Sequence, residues 1–156
     1  MAIATKDKFT FDEFIHELDE MDRIAADAPI ARDMQDQIAE IIYDGIRLNF
    51  ALSQDAWGNT WAPHAPLTIA LYGVHPILIL SSKMVTAATN TGAPGNVVEV
   101  SDRSFMVGVD IDYAAQQQFG SVAKNIPPRP FFDPSQETID RLSVLAADYF
   151  EHEVVG

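Results

Sequence analysis

Val97-Val98-Glu99-Val100-Ser101-Asp102-Arg103-Ser104-Phe105-Met106-Val107-Gly108-Val109-Asp110-Ile111-Asp112-Tyr113-Ala114-Ala115-Gln116-Gln117-Gln118-Phe119-Gly120 is the stretch on which the fold turns. Its first half holds two β-branched and aromatic runs around Ser101–Ser104, the pattern of a β-hairpin. Its second half predicts a short helix from Asp112 to Phe119, stopped by Gly120. Asp112 is the expected N-cap and Asp110 a turn residue. Five residues on comes Ile126-Pro127-Pro128-Arg129-Pro130-Phe131-Phe132. Proline fixes φ and lacks an N–H, so this part of an arm over residues 120–132 must be extended or polyproline-like. The Phe131 and Phe132 side chains then point to opposite sides.

Helical patterns lie on both flanks. Downstream, Asp133-Pro134-Ser135-Gln136 offers a capping acid, a proline at the first helical position and an amide three residues after the cap. Ile139, Leu142, Leu145, Ala146 and Tyr149 then make one apolar face. Upstream, Thr91–Gly95 is a loop. Pro76 to Ala88 is apolar enough for a buried helix or strand, and periodicity does not choose between them. Asp55–Pro63 is a turn-rich loop carrying Trp57 and Trp61, the two tryptophans of the chain. A long helix is expected from about Ile30 to Ser53, with Met34, Ile38, Ile41, Ile42 and Gly45 on one stripe. Gly45 weakens the helix locally and permits close packing. Before the break at Ala28-Pro29, the capping box Thr10-Phe11-Asp12-Glu13 opens a further helix through Phe14, Ile15, Leu18 and Met21. No internal repeat or low-complexity tract interrupts this order. The expectation is one α+β domain over residues 1–156, with a small, mainly antiparallel sheet packed against N-terminal and C-terminal helices.

The 156 residues are 47% hydrophobic and 21% charged, enough apolar material for one core. The net charge is −13. The acid gathers in residues 1–55 and 133–156, while residues 56–132 balance to zero. Solvated outer faces of helices account for such ends. A chain this acidic is not built to neutralise nucleic-acid phosphates or to adhere to anionic membranes. With Cys at 0, disulfides and thiolate chemistry are excluded. No signal-peptide pattern occurs, and the run Ile77–Leu80 is too short to cross a bilayer. The expectation is a soluble protein of a reducing compartment.

Catalytic patterns are sparse. His16, His64, His75 and His152 show no His-Glu-x-x-His spacing, and no Gly-x-Ser-x-Gly elbow, phosphate-binding loop or dinucleotide fingerprint is present. A metal site of His16 or His152 with neighbouring carboxylates is the one ligand set open to an enzyme, and solvated surface histidines are the simpler account. The unusual feature is topographical. Trp57, Trp61, Tyr113, Phe119, Phe131 and Phe132 flank loops, and Arg129 lies between prolines. Rigidly held aromatics and arginine are typical interface anchors. Arg129 has no acidic neighbour in sequence before Asp133, so its partner must come from elsewhere: a carboxylate or exposed carbonyls on an adjoining subunit is the expectation, and an internal salt bridge that staples the arm to its own subunit is the alternative.

The block Val107–Gly120 followed by Ile126–Phe132 resembles the signature of the phage virion morphogenesis family, the tail completion proteins of Mu-like and P2-like bacteriophages and prophages. Trp57-Gly58-Asn59-Thr60-Trp61-Ala62-Pro63 is similar to that family's glycine–tryptophan–proline loop, and Ile77–Met84 to its apolar segment before the hairpin. Gln117 stands where the family often has histidine, Ser82 where it often has glycine, and Pro128 where a small residue is usual. The resemblance implies a non-enzymatic structural protein that completes the tail or joins it to the head, as a ring, without cofactor or metal. It implies contacts with its own copies and with other tail or head–tail connector proteins, made in the bacterial cytoplasm and carried in the neck or tail of the virion. It adds Gln118 to Trp57, Trp61, Tyr113, Phe119, Arg129, Phe131 and Phe132 as candidate contact residues. DNA passing through such a ring would be unread in sequence. Two other readings stand beside it: a small metal-dependent hydrolase, and an acidic inhibitor that mimics DNA charge.

Overall fold

The structure, a computed structural model, describes residues 32–101, 104–149, 151 and 152. The expected helix over residues 10–22, with its capping box and His16, lies outside the described residues. In chain order the described elements are α1 (Arg32–Leu52), α2 (Pro66–Tyr72), α3 (Lys83–Thr89), β1 (Asn96–Val100), β2 (Phe105–Val109), α4 (Ala114–Phe119) and α5 (Gln136–Tyr149). The arrangement is α+β with a two-stranded antiparallel sheet.

The hairpin forms where the β-branched and aromatic runs place it. Val98 pairs with Val107 and Val100 with Phe105. Its closest helical neighbour is α3, which in turn lies against α1, and α5 also lies against α1. The sheet therefore reaches the terminal helices through α3. Tyr43, fully buried on α1, joins the layers: its hydroxyl accepts from Asn96 Nδ2 at 3.0 Å, and the same amide donates to Ala87 O at 2.8 Å. Arg47 donates to Thr89 O at the C-terminal end of α3 at 2.8 Å, where a cation suits the exposed carbonyls.

The buried face of α1 is Met34, Ala39, Tyr43, Ile46, Asn49 and Phe50. Of the expected stripe, Met34 is buried, while Ile38, Ile41, Ile42 and Gly45 sit at its border. The stripe turns because Tyr43 and Phe50 carry more apolar surface inward than the isoleucines do. Gly45 does permit close packing: a Cβ there would collide with Thr138 Oγ1 on α5. On α5, Ile139, Leu142 and Ala146 are buried as the pattern predicts. The exposed carboxylates Asp33, Asp36, Glu40 and Asp44 of α1, and Glu137, Asp140 and Asp148 of α5, form the expected solvated faces.

Three local expectations are corrected. Pro76–Ala88 is neither one helix nor one strand. Ile77–Ser82 winds through turns with Leu78 at φ 64° and Ser82 at φ 57°, and helix begins at Lys83. Ile77, Leu78 and Ile79 still pack on the core from those turns. Asp112 does not cap α4, whose N-cap residue is Tyr113 with no side-chain bond. Asp133 does not cap α5. Ser135 Oγ accepts from Thr138 N at 3.1 Å instead, because the Asp133 carboxylate is engaged elsewhere. The helix Pro66–Tyr72 arises where the sequence pattern predicts no element.

Candidate assembly surface

The arm begins at Gly120, whose φ of 75° turns the chain out of α4. Ser121 and Ile126 pair across a tight loop, and the proline run then returns along the molecule. Pro127, Pro128 and Pro130 supply no donors, so every polar group buried along this strap needs a partner from another element. Those partners are present. Arg129 N donates to Gln117 O at 2.6 Å. Gln118 Oε1 accepts from both Phe131 N at 2.9 Å and Phe132 N at 3.0 Å. The other end of that amide donates to Asp133 Oδ2 at 2.9 Å. Pro130 O accepts from Trp61 Nε1 at 2.8 Å, and Phe131 O from Asn49 Nδ2 at 3.3 Å. Among the described residues no buried side-chain nitrogen or oxygen lacks a partner.

Arg129 is only 8% exposed. Its Nε donates to Ala62 O at 2.8 Å and its Nη2 to Pro63 O at 2.9 Å, with Gln117 Oε1 at 3.3 Å from Nη1. The expectation of a partner on an adjoining subunit is thereby corrected: carbonyls of its own chain hold the guanidinium. A planar fork matches two successive carbonyls better than an ammonium can. Burial pulls its pKa below the usual arginine value.

The tryptophans of one loop part company. Trp61 is 3% exposed and meets Phe50 edge-on with ring centroids 5.6 Å apart, and Phe50 also touches Phe131 at 5.6 Å. Trp57 is 70% exposed. Just ahead of both, Asp55 builds the turn, its carboxylate accepting from Trp57 N at 2.9 Å, Asn59 N at 2.8 Å and Asn59 Nδ2 at 2.9 Å. Burial alone would raise the pKa of Asp55, but the bonds from Asn59, Trp57 and Gly58 together hold it below the ordinary value. At Asp133 burial wins: its pKa is raised, with Asp55 adding to the rise and the Gln118 bond opposing it.

The candidate contact residues thus divide. Trp61, Arg129 and Phe131 are buried in the chain's own core, Gln118 and Phe132 are half-buried against it, and Trp57, Tyr113 and Phe119 face outward. The expectation that Phe131 and Phe132 point to opposite sides, one inward and one toward a partner, is corrected: Phe131 is buried and Phe132 also packs on the core beside it. The structure also exposes Val122 at the tip of the Ser121–Ile126 loop, and Leu67, Leu71, Tyr72 and Val74 around α2. None of these belongs to the candidate contact residues expected from the sequence. A run of large apolar residues with no charge was the available signal. His64 and His75 bracket α2, with ring centroids 4.2 Å apart. Among the described residues no group of three His, Asp or Glu side chains is placed to hold a metal ion. His152 is exposed, and His16 lies outside the described residues. No described helix is long and apolar enough to cross a membrane. Compared with known proteins, the chain matches no family model, no curated protein and no solved structure.

Proposed function

We propose that the chain is a non-enzymatic assembly protein of the phage virion morphogenesis kind, which completes the tail or joins it to the head as a ring of its own copies in contact with other tail or connector proteins. One observation carries the reading. The two separated halves of the signature, Val107–Gly120 and Ile126–Phe132, come together as a single hydrogen-bonded unit through Gln117, Gln118 and Arg129. The polar side chains of the signature are spent on holding a frame, while Trp57, Tyr113 and Phe119 are left on its outside. Aromatics fixed on a rigid frame lose little entropy on docking. Ser82 also fits. It stands where the family often has glycine, and its φ of 57° is a conformation glycine adopts without steric penalty. The virion neck or tail is the place this reading implies.

The deciding experiment replaces the gene in its phage or prophage with a Trp57→Ser/Phe119→Ser variant and with a deletion. Heads and tails that remain unjoined or incomplete under the electron microscope are the expected result for both. Infectious particles from the deletion would refute the reading. The purified variant should keep the wild-type melting temperature, because neither side chain is buried.

A further inference from the structure

The segment from His64 to His75 is a flap. Pro66 opens its helix, and Gly73 N closes it onto Ile69 O at 2.8 Å. None of the residues of α2 is buried, and no described helix or strand packs extensively on it. What joins its two ends is a pair of histidines. The His64 and His75 rings lie with centroids 4.2 Å apart and planes 37° from parallel. Both residues are half-buried. His64 Nε2 donates to His75 O at 3.2 Å, and His75 Nδ1 donates to Gly73 O at 2.9 Å. A carbonyl only accepts, so these bonds set which nitrogen of each ring carries the proton. His64 Nδ1 and His75 Nε2 are then the positions at which a further proton enters.

We propose that this stack is a pH-sensitive latch, closed while at least one ring is neutral and parted when both carry charge. The inference stands apart from the assembly role. A single imidazolium faces only a neutral ring and meets no like charge in the stack. Two imidazoliums at this separation repel, and half-burial limits the screening by water. The surroundings offer no relief among the described residues. From Ala56 to Ser82 the chain carries no Asp, Glu, Lys or Arg, so the flap and the loop before it supply no carboxylate. The strap meets the base of the flap through Arg129, whose guanidinium binds the carbonyls of Ala62 and Pro63 and is itself a cation. Parting the rings relieves the repulsion and disturbs little else, because α2 buries no residue and keeps its helical bonds within itself. Acid therefore frees the two ends of the flap from each other and releases Leu67 and Leu71, 69% and 64% exposed, from a fixed setting.

NMR of the full chain between about pH 8 and about pH 5, the span over which imidazole changes charge, tests this. In the wild type, ring-to-ring Overhauser contacts between His64 and His75 are expected at the upper end and should weaken by at least roughly fivefold at the lower end. The methyl signals of Leu67 and Leu71 should move over the same range, while those of Ile139 and Leu142, buried on α5, should not. His64→Gln keeps an amide donor for His75 O, and His75→Gln keeps one for Gly73 O. Each leaves a single ionisable ring at the latch, so in both variants the Leu67 and Leu71 signals should move less than half as far as in the wild type. Ring contacts that are undiminished in acid, or already missing at the upper end, overturn the proposal. Leu67 and Leu71 shifts as large in the variants as in the wild type overturn it too, and so does an equal movement of Ile139 and Leu142, which would place the acid effect in the whole fold.

Discussion

The strap over residues 126–133 and the flap over residues 64–75 share an anchor, since Arg129 of the strap holds the carbonyl of Pro63 at the foot of the flap. Both are apolar and proline-marked, yet one is sunk into the molecule and the other stands in water. Their backbones explain it. The flap is helical and satisfies its own groups, as in the bond from Ile69 N to Ala65 O at 3.2 Å, so it needs no neighbour. The extended strap has no internal bonds and can be buried only because Gln117, Gln118, Trp61 and Asn49 meet its donors and acceptors. Proline content and hydrophobicity therefore do not say which segment is buried. The supply of outside hydrogen-bond partners does.

The two tryptophans give the widest test of that contrast. Trp61→Ala removes an aromatic from the cluster with Phe50 and Phe131 and leaves Pro130 O without its donor. A loss of about 3–5 kcal/mol in urea unfolding is expected. Trp57→Ala, four residues earlier, should change stability by less than about 0.5 kcal/mol. Comparable losses at the two sites would break the comparison.

Arg129 comes next. Arg129→Ala strips donors from two carbonyls and from Gln117, all of them on the clasp between strap and flap. A loss of about 2–4 kcal/mol is expected by thermal or denaturant unfolding, and Arg129→Lys should recover less than half, because an ammonium cannot reproduce the fork. Near-wild-type stability of Arg129→Ala would return the residue to the role the sequence suggests for it, an anchor waiting for a neighbouring subunit.

That reversal shows where sequence reading stops. The hairpin was legible because two β-branched and aromatic runs around a polar turn are written in consecutive residues, and the face of α5 because its period is regular. The partners of Arg129 are carbonyls, and a carbonyl carries no residue signature. The capping role of Asp133 failed for a related reason: Ser135 was an equally good local candidate, and the bond that diverts Asp133 comes from Gln118, distant in sequence. The helix Pro66–Tyr72 went unseen because Pro-Leu-Thr-Ile-Ala-Leu-Tyr has no polar face to set a period, and Ala65 before it makes no side-chain cap. What exposes it is the lack of a covering element, a property of the fold as a whole.

A glycine pair sharpens the comparison further. Gly73 and Gly120 share a backbone conformation, with φ 73° and ψ −178° against φ 75° and ψ 175°. A side chain strains both equally. At Gly73 an added Cβ meets nothing within 4 Å, whereas at Gly120 it meets Pro128 N at 2.8 Å and Ile126 O at 2.9 Å. Gly120→Ala should therefore be the more destabilising by about 1–3 kcal/mol. The difference between the two unfolding free energies measures how tightly the strap is packed, with the backbone strain cancelled. Equal effects would mean that the strap yields as freely as the flap.

The smallest effect concerns the two carboxylates and has opposite signs at the two sites. Asp133, at the end of the strap, has its pKa raised in the fold, chiefly by burial and then by Asp55. Its stabilising contribution is complete below the unfolded value, roughly pH 4, and is lost as pH rises through the raised folded value. At neutral pH the ionised group therefore opposes folding. Asp133→Asn keeps an acceptor for Gln118 and should melt slightly higher than wild type at pH 7. Asp55, in the turn that carries Trp57, has its pKa lowered, because its several hydrogen bonds together outweigh burial. Its contribution is present above the unfolded value and is lost as pH falls through the lowered folded one. Asp55→Asn should accordingly melt lower at pH 7, and its deficit should shrink in acid as the wild type loses the same bonds. The two substitutions should not add, since the charge of Asp55 is one cause of the shift at Asp133. Melting curves of the wild type, both single variants and the double variant between pH 3 and 7 check this. A double variant equal to the sum of the singles at every pH would show that the two carboxylates act independently and that the loop and the strap are electrostatically separate.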